Sequence, residues 1–248
     1  MDLLILEEPR VQLFRSMIID EVPENLPGLV DVDEFTTFKT DKRRLEHVSG
    51  RRLLAESLLE WGIDHSQIRV IRDENRTPLL KWLDGSFQNS PLPSFSTCHS
   101  GGMVHLILCE PGWWVGVDAE RTDRGIAANA FDQFTKGEEL ESLRRKPEEA
   151  IRLWTAKEAI QKAMHLGMAL NPRDVIIPDS ESTLDINGVE VHLRGFRLDG
   201  MQIHIAWRWA GSEPRTAEDN LLDKARSNLR DADGRLAFDV GCSTMRGA

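Results

Sequence analysis

Cysteine is scarce: Cys98, Cys109 and Cys242 are the only three in 248 residues. They are odd in number and widely spaced, and no CxxC or CxxxH pair points to zinc. The pattern predicts free thiols in a reducing compartment, with the cytoplasm as the default location. Long apolar runs are missing too. None approaches the roughly 18–20 residues that span a bilayer. The first residues, Met1 to Glu8, hold a short apolar stretch between acids. They lack the basic start and long apolar middle of a secretory signal, so neither export nor a membrane partner is expected. Positive charge is in deficit, with 31 Lys and Arg against 41 Asp and Glu, a net charge of −10 and a pI near 5.2. That balance disfavours nucleic acid as the main partner. An acidic protein that binds a phosphate-rich ligand needs a local basic pocket. No internal repeat is visible, and neither GxxxxGK[ST] nor GxGxxG occurs.

What remains is ordinary globular composition, 40% hydrophobic and 29% charged. It argues against a disordered, collagen-like or coiled-coil chain. The length suits one large domain or two of about 100–120 residues. Leu3–Leu6 reads as a strand, followed by a loop with Pro23 and Pro27. A basic, helix-prone stretch covers Thr40 to Gly62, with Leu54, Leu58 and Trp61 on one stripe. Pro78 to Pro93 reads as turn-rich. Met103–Cys109 and Trp113–Asp118 read as strands around a Pro111-Gly112 turn. Phe131–Arg145 reads as helix. A second helix is expected from Pro147, with proline at its first position, to about His165, with Gly167 ending it. Asn187-Gly188 signals a hairpin. Met201–Trp209 alternates, with Met201, Ile203, Ile205, Trp207 and Trp209 on one face. Beyond Gly211 the chain is polar, with a short helix conceivable at 217–229. The order of elements predicts an α+β fold with a seam near Pro111.

Four places carry chemistry. Asp118 and Glu120, two apart on a strand, point to one face. Carboxylates held that close repel unless a cation or proton intervenes, and hard cations such as Mg²⁺ favour oxygen ligands. Read alone, the pair also suits two solvated acids. On the helix that follows, Ala156, Ala159, Ile160, Ala163 and Met164 form an apolar face. Trp154, Glu158, Gln161, Lys162 and His165 form another stripe. Glu158 and Lys162 suit either an exposed ion pair or a third metal carboxylate beside a lysine. Ser94 to Gly102, with small hydroxyl residues, His99 and two glycines, suits either a phosphate-approaching loop or an ordinary turn. Last, Lys39, Lys42, Arg43, Arg44, Arg51 and Arg52 cluster in an otherwise acidic chain. A helix beginning near Ser49 sets the arginines at its positive end, where an anion is welcome. A helix unbroken from Asp41 leaves only the clustering.

In order along the chain, Gly116-Val117-Asp118-Ala119-Glu120 and Trp154-Thr155-Ala156-Lys157-Glu158-Ala159-Ile160-Gln161-Lys162 resemble the two-part signature of the phosphopantetheinyl transferase superfamily. That signature reads G-[IV]-D-x-E, then [FW]-[SCT]-x-K-E-[AS]-x-x-K. His99-Ser100-Gly101 is similar to the family's S-H-S-G element, Ser49-Gly50-Arg51 to its A-G-R element, and Arg76-Thr77-Pro78 to its G-[KR]-P turn. Thr77 stands where the family usually has lysine, and Cys98 where it usually has serine. The length resembles the surfactin-type, two-lobed members.

The resemblance implies a pseudo-twofold α+β monomer with the active site between two lobes. These are residues 1–112, which contact coenzyme A phosphates, and 113–210, which carry the Mg²⁺ carboxylates. A flexible polar tail, 211–248, would follow. It implies transfer of the phosphopantetheine arm of coenzyme A to a serine of an apo acyl or peptidyl carrier protein, releasing adenosine 3′,5′-bisphosphate. By position, Asp118, Glu120 and Glu158 would bind Mg²⁺, and Asp118 would also face the coenzyme A pyrophosphate. Glu158 would be the general base and Lys162 would neutralise pyrophosphate charge. Arg51, Arg76, His99 and Ser100 would hold coenzyme A, with Arg51 on the 3′-phosphate. The competing expectations are a non-catalytic docking protein for carriers or coenzyme A, and a Mg²⁺-dependent nucleotide phosphohydrolase.

Overall fold

The computed structural model describes residues 2–85, 90–179 and 182–213. Two four-stranded antiparallel sheets stand back to back, each with one long helix on its outer face. The first sheet is built from β1 (Asp2–Leu6), β2 (Val11–Met17), β5 (Ser94–Ser100) and β6 (Met103–Cys109), in the order β1-β2-β6-β5. The second holds β7 (Trp113–Arg121), β8 (Ser182–Ile186), β9 (Val189–Leu198) and β10 (Met201–Trp209), in the order β7-β10-β9-β8. The short α1 (Val32–Thr36) precedes α2 (Asp41–Glu60). A separate hairpin, β3 (Ile68–Arg72) and β4 (Pro78–Trp82), follows α2. α3 (Gly137–Arg145) and α4 (Ala150–Met164) lie between β7 and β8. Among the described residues no helix is long and apolar enough to cross a membrane.

Strand alternation explains the layers. On β6, Val104, Leu106 and Leu108 face α2, where Leu54 and Leu58, with Phe14 of β2, complete a core. Ile107 and Cys109 face the other way, onto Val115, Val117, Ile203 and Ile205 of the second sheet. A third core lies between α4 and its sheet, built on Ala156, Ala159, Ile160, Ala163, Val189 and Ala206. Small residues on α4 let the helix sit close to the strands. The closest approach is at Gly116 of β7. A Cβ built there would lie 2.1 Å from Ala159 O and 2.6 Å from Ala163 N.

Several elements differ from the sequence reading. β2 lies where the sequence reads as a loop, β4 and β5 where it reads as turn or loop, and β3 in a stretch for which the sequence reading names no element. In β5, Ser94, Ser96 and the small Cys98 occupy pleat positions that the sheet buries. Polarity therefore hid a strand that tertiary packing enforces. The Phe131–Arg145 helix is interrupted. A 3₁₀ segment Ala128–Gln133 ends at Phe134, and α3 begins at Gly137, whose φ is +56°. α4 stops at Met164, before Gly167, because His165 itself takes the left-handed conformation, φ +58°. Trp209, expected in line with Trp207, is exposed at the strand end. The opposite face of β10, with Gln202, His204 and Arg208, is also buried, beneath α4. Cys98 and Cys109 are free, buried thiols. Cys242, the conceivable helix at 217–229 and the tail beyond Glu213 lie outside the described residues.

Candidate active site

β7 delivers Gly116, Asp118 and Glu120 on one face, and α4 lies across that face. Glu158 and Lys162, one turn apart, come down beside the strand. Lys162 Nζ donates to Asp118 Oδ1 at 2.8 Å and to Val117 O at 2.9 Å. The ion pair that the helix spacing suggested between Glu158 and Lys162 therefore gives way to one between strand and helix. Burial is the largest single influence and works against the Lys162 ammonium. Asp118, the hydrogen bond to it and the charge of Glu158 act together with the other negative surroundings to hold its pKa at about 12. Burial pushes the Asp118 carboxyl up, against the pull of Lys162. Glu158 is also raised, first by burial and then by the charges of Asp118 and Glu120. Glu120 accepts from Ser100 Oγ at 2.7 Å and pairs with Arg124. Thus Lys162 and Arg124 supply the cations that the acid pair needs. Ser100 spends its hydroxyl on Glu120.

As they stand, no three His, Cys, Asp or Glu side chains among the described residues form a cage for a metal ion. The donor set nevertheless suits a hard cation. Asp118, Glu120 and Glu158 are all oxygen donors on the wall of one cavity, and burial and mutual repulsion disfavour the ionised forms of Asp118 and Glu158. A divalent ion relieves that cost.

The cavity has a volume of about 630 Å³. Its far side is basic and comes from α2, β5 and the β3–β4 turn. α2 runs unbroken from Asp41, capped by Thr40, so the arginines lie along its flank and the helix-dipole argument drops out. Helical spacing sorts the cluster. Arg43, His47 and Arg51 line the cavity, while Lys42 and Arg52 project to solvent. Lys39 is exposed and Arg44 pairs with Asp41. Arg51 is buried, 3.9 Å from Glu34, and its pKa falls to about 10 through burial. His47 falls to about 4, from burial and then from Arg51, and His99 also falls, through burial. The Arg51 Nε, His47 Nε2 and His99 Nε2 atoms are buried without a hydrogen-bond partner among the described residues. Buried polar atoms of this kind are usually partnered, so three without a partner on residues that line one cavity set this wall apart. Gly50 makes room for this: a Cβ there would sit 3.3 Å from His99 Nε2.

Arg76 lies on the cavity rim in the left-handed conformation, φ +64°. Thr77 gives its backbone N–H to Asp73 Oδ1 at 2.7 Å. Arg72 also lines the cavity, bonded to Glu34 and to Arg76 O. Sequence reasoning singled out neither His47 nor Arg72. His47 could have been found from its one-turn spacing to Arg43 and Arg51. Arg72 had no local signal. Cys98 is in the cavity wall with its thiol pushed up by burial, so it stays protonated.

Lys157, between two motif residues, does something different. It is fully buried, and its ammonium donates to Glu139 Oε2 at 2.6 Å, Pro172 O at 3.0 Å and Val175 O at 2.5 Å. It ties α3 and the 172–175 loop to α4, away from the cavity.

Residues 114–208 match the family model of the 4′-phosphopantetheinyl transferase superfamily. The matched stretch runs from β7 to β10 and contains Asp118, Glu120, Glu158 and Lys162. It supports the superfamily and, with it, a transferase that acts on the phosphopantetheinyl group. The basic wall from α2, β5 and the β3–β4 turn lies outside that stretch. No curated protein matches the chain.

Proposed function

We propose that this protein transfers the 4′-phosphopantetheine arm of coenzyme A to a serine of an apo acyl or peptidyl carrier protein, releasing adenosine 3′,5′-bisphosphate. The observation that carries the reading is the shared cavity: Asp118, Glu120, Glu158 and Lys162 on one wall, Arg51, His47 and His99 with unpaired nitrogens on the other. Such a cavity suits a ligand with phosphates at two separated places. Within this reading residues 1–112 and 113–210 are the two lobes of a surfactin-type, cytoplasmic monomer, and the cavity between them draws its walls from both.

Asp118, Glu120 and Glu158 would hold Mg²⁺, which when bound would neutralise pyrophosphate charge. Arg51 would take the 3′-phosphate, with Arg76 at the rim and His99 on a phosphate nearer the carboxylates. Glu158 would accept the proton of the incoming serine hydroxyl. Its raised pKa suits that task, since a base works best when its pKa approaches the working pH. The serine oxygen forms a bond to the pantetheine-side phosphorus as the bond to the adenosine-side phosphate oxygen breaks. Lys162, cationic throughout, would meet the charge that builds on that leaving oxygen.

The test is intact-mass spectrometry of a panel of apo carrier proteins incubated with this protein, coenzyme A and Mg²⁺, with a chelator control. The expected result is a metal-dependent gain of one phosphopantetheine arm on at least one carrier. Coenzyme A binding without any gain would replace this reading with a docking protein. Release of adenosine 3′,5′-bisphosphate without a carrier would replace it with a phosphohydrolase.

A second prediction concerns the basic wall. Arg51→Ala removes a charge-assisted contact worth about 1.5–3 kcal/mol. It should raise KM for coenzyme A about tenfold or more while kcat stays within about twofold, since the contact persists from ground state to transition state. Steady-state release of adenosine 3′,5′-bisphosphate reads both constants. An unchanged KM would place the phosphate elsewhere.

A further inference from the structure

α4 carries Glu158 and Lys162, yet an α-helix on a sheet can settle at more than one position along the strands. Two buried polar contacts reach α4 from β10, one near each end. Near the start of α4, His204 Nδ1 lies 2.7 Å from Thr155 Oγ1. The same hydroxyl donates to Ile151 O at 2.8 Å. A hydroxyl has one proton, so when Thr155 donates to Ile151 O it accepts from His204 Nδ1, and in the other tautomer it donates to that nitrogen; either way the two side chains are bonded. At the other end, Arg208 is 2% exposed and has no carboxylate within ion-pair distance among the described residues, the charge of Glu213 acting on it from further away. Its Nε donates to Ala163 O at 3.0 Å and its Nη2 reaches Met164 O at 3.5 Å, carbonyls at the negative end of the helix. Nη1 binds Trp209 O at 3.3 Å and also Ser212 O. A buried guanidinium there answers the dipole and the unsatisfied carbonyls together.

The spacings match. His204 to Arg208 is about 13 Å along a strand, and Thr155 to Ala163 about 12 Å along a helix. Between these clamps, Ala206 pairs with Gly116 across the strands, and at the first clamp His204 itself pairs with Asp118. A slip of one turn, about 5.4 Å, would break both clamps and carry Lys162 away from Asp118.

We infer that His204 and Arg208 are positioning residues, a two-point clamp that fixes α4 in the one register that sets Lys162 on Asp118 and Glu158 beside it. The inference about the site's use rests on the transferase reading, but the register itself does not. The test therefore has two readouts. The first is acylation of Lys162 by an amine-reactive ester, followed by peptide mass spectrometry, with the exposed Lys42 as internal reference. The second is steady-state transfer. Thr155→Val removes the hydroxyl and keeps the shape, and Arg208→Ala removes the second clamp. Each should raise Lys162 labelling about fivefold or more. Each should also lower kcat by about 10–100-fold with KM for coenzyme A within about twofold. Arg208→Lys, which keeps a donor, should recover part of both. Leu58→Ala, in the core beneath the other sheet, serves as a control compared at equal unfolded fraction and should leave labelling and kcat at wild-type values. Wild-type labelling and kcat in Thr155→Val or in Arg208→Ala would overturn the clamp, as would equal changes in Leu58→Ala. If the wild-type protein transfers nothing, the proposed function fails, and the labelling still decides the clamp.

Discussion

Glu158→Ala should lower phosphopantetheinyl transfer on the order of 1,000-fold while leaving the fold intact. Alanine is the best helix former, and Glu158 makes no hydrogen bond that the α4–β7 packing depends on. Its carboxyl is instead a cost to the folded protein, because burial and the charges of Asp118 and Glu120 hold its pKa above the ordinary range. The sign follows from linkage. A carboxyl with a folded-state pKa above its unfolded value binds its proton more tightly in the native state. Stability therefore falls as pH rises from the unfolded pKa through the folded one, and stays lower above it. Glu158→Gln should flatten that part of the stability-versus-pH curve and raise the thermal midpoint near neutral pH, measured without added divalent ions. Wild-type transfer in Glu158→Ala would sink the catalytic assignment. A lower midpoint in Glu158→Gln at neutral pH would sink the electrostatic account.

Gly116→Ala is the second large effect, and it acts through packing. The new Cβ would meet Ala159 O at 2.1 Å, Ala163 N at 2.6 Å and Lys162 Cβ at 2.9 Å. Two of these are backbone atoms of α4 and cannot swing aside as a side chain tip would. The helix must lift from β7, at a cost of about 3 kcal/mol, and valine should cost more. Urea unfolding reads the loss as a lower midpoint with an unchanged slope. Because Lys162 rides on the same turn, transfer should drop by more than the unfolded fraction explains. A wild-type midpoint for Gly116→Ala would mean that α4 does not seat on β7 at this residue. The first position of the G-V-D-A-E element thus has a physical task of its own: it admits the helix that brings the other motif.

Much of this site could be read from spacing alone. Period two placed Asp118 and Glu120 on one face of a strand, and a period near 3.6 placed Glu158 and Lys162 on one stripe of a helix. Both are local facts, set by backbone geometry whatever surrounds it. The alternation of Met201, Ile203, Ile205 and Trp207 likewise named the strand face that packs on the first sheet. Local signals failed where burial overruled polarity, as in β5, whose serines sit in the sheet.

Charge partners were the larger gap. Nothing in the sequence says that Lys162 leaves its own helix to bind Asp118, or that Lys157, one residue before Glu158, is buried on Glu139 and two carbonyls. Nor does it say that Arg208 seals the end of α4 from a strand 44 residues further on. The basic cluster shows the same limit. Counting along the chain grouped six cations, but the tertiary structure sends some to solvent and joins Arg43 and Arg51 to Arg72 and His99 from other elements. The sequence by itself determined which side chains share a face, because that depends only on the repeat of a helix or a strand. Which faces meet, and therefore which charges pair and which buried nitrogens have no partner among the described residues, was decided by how two sheets and two helices pack.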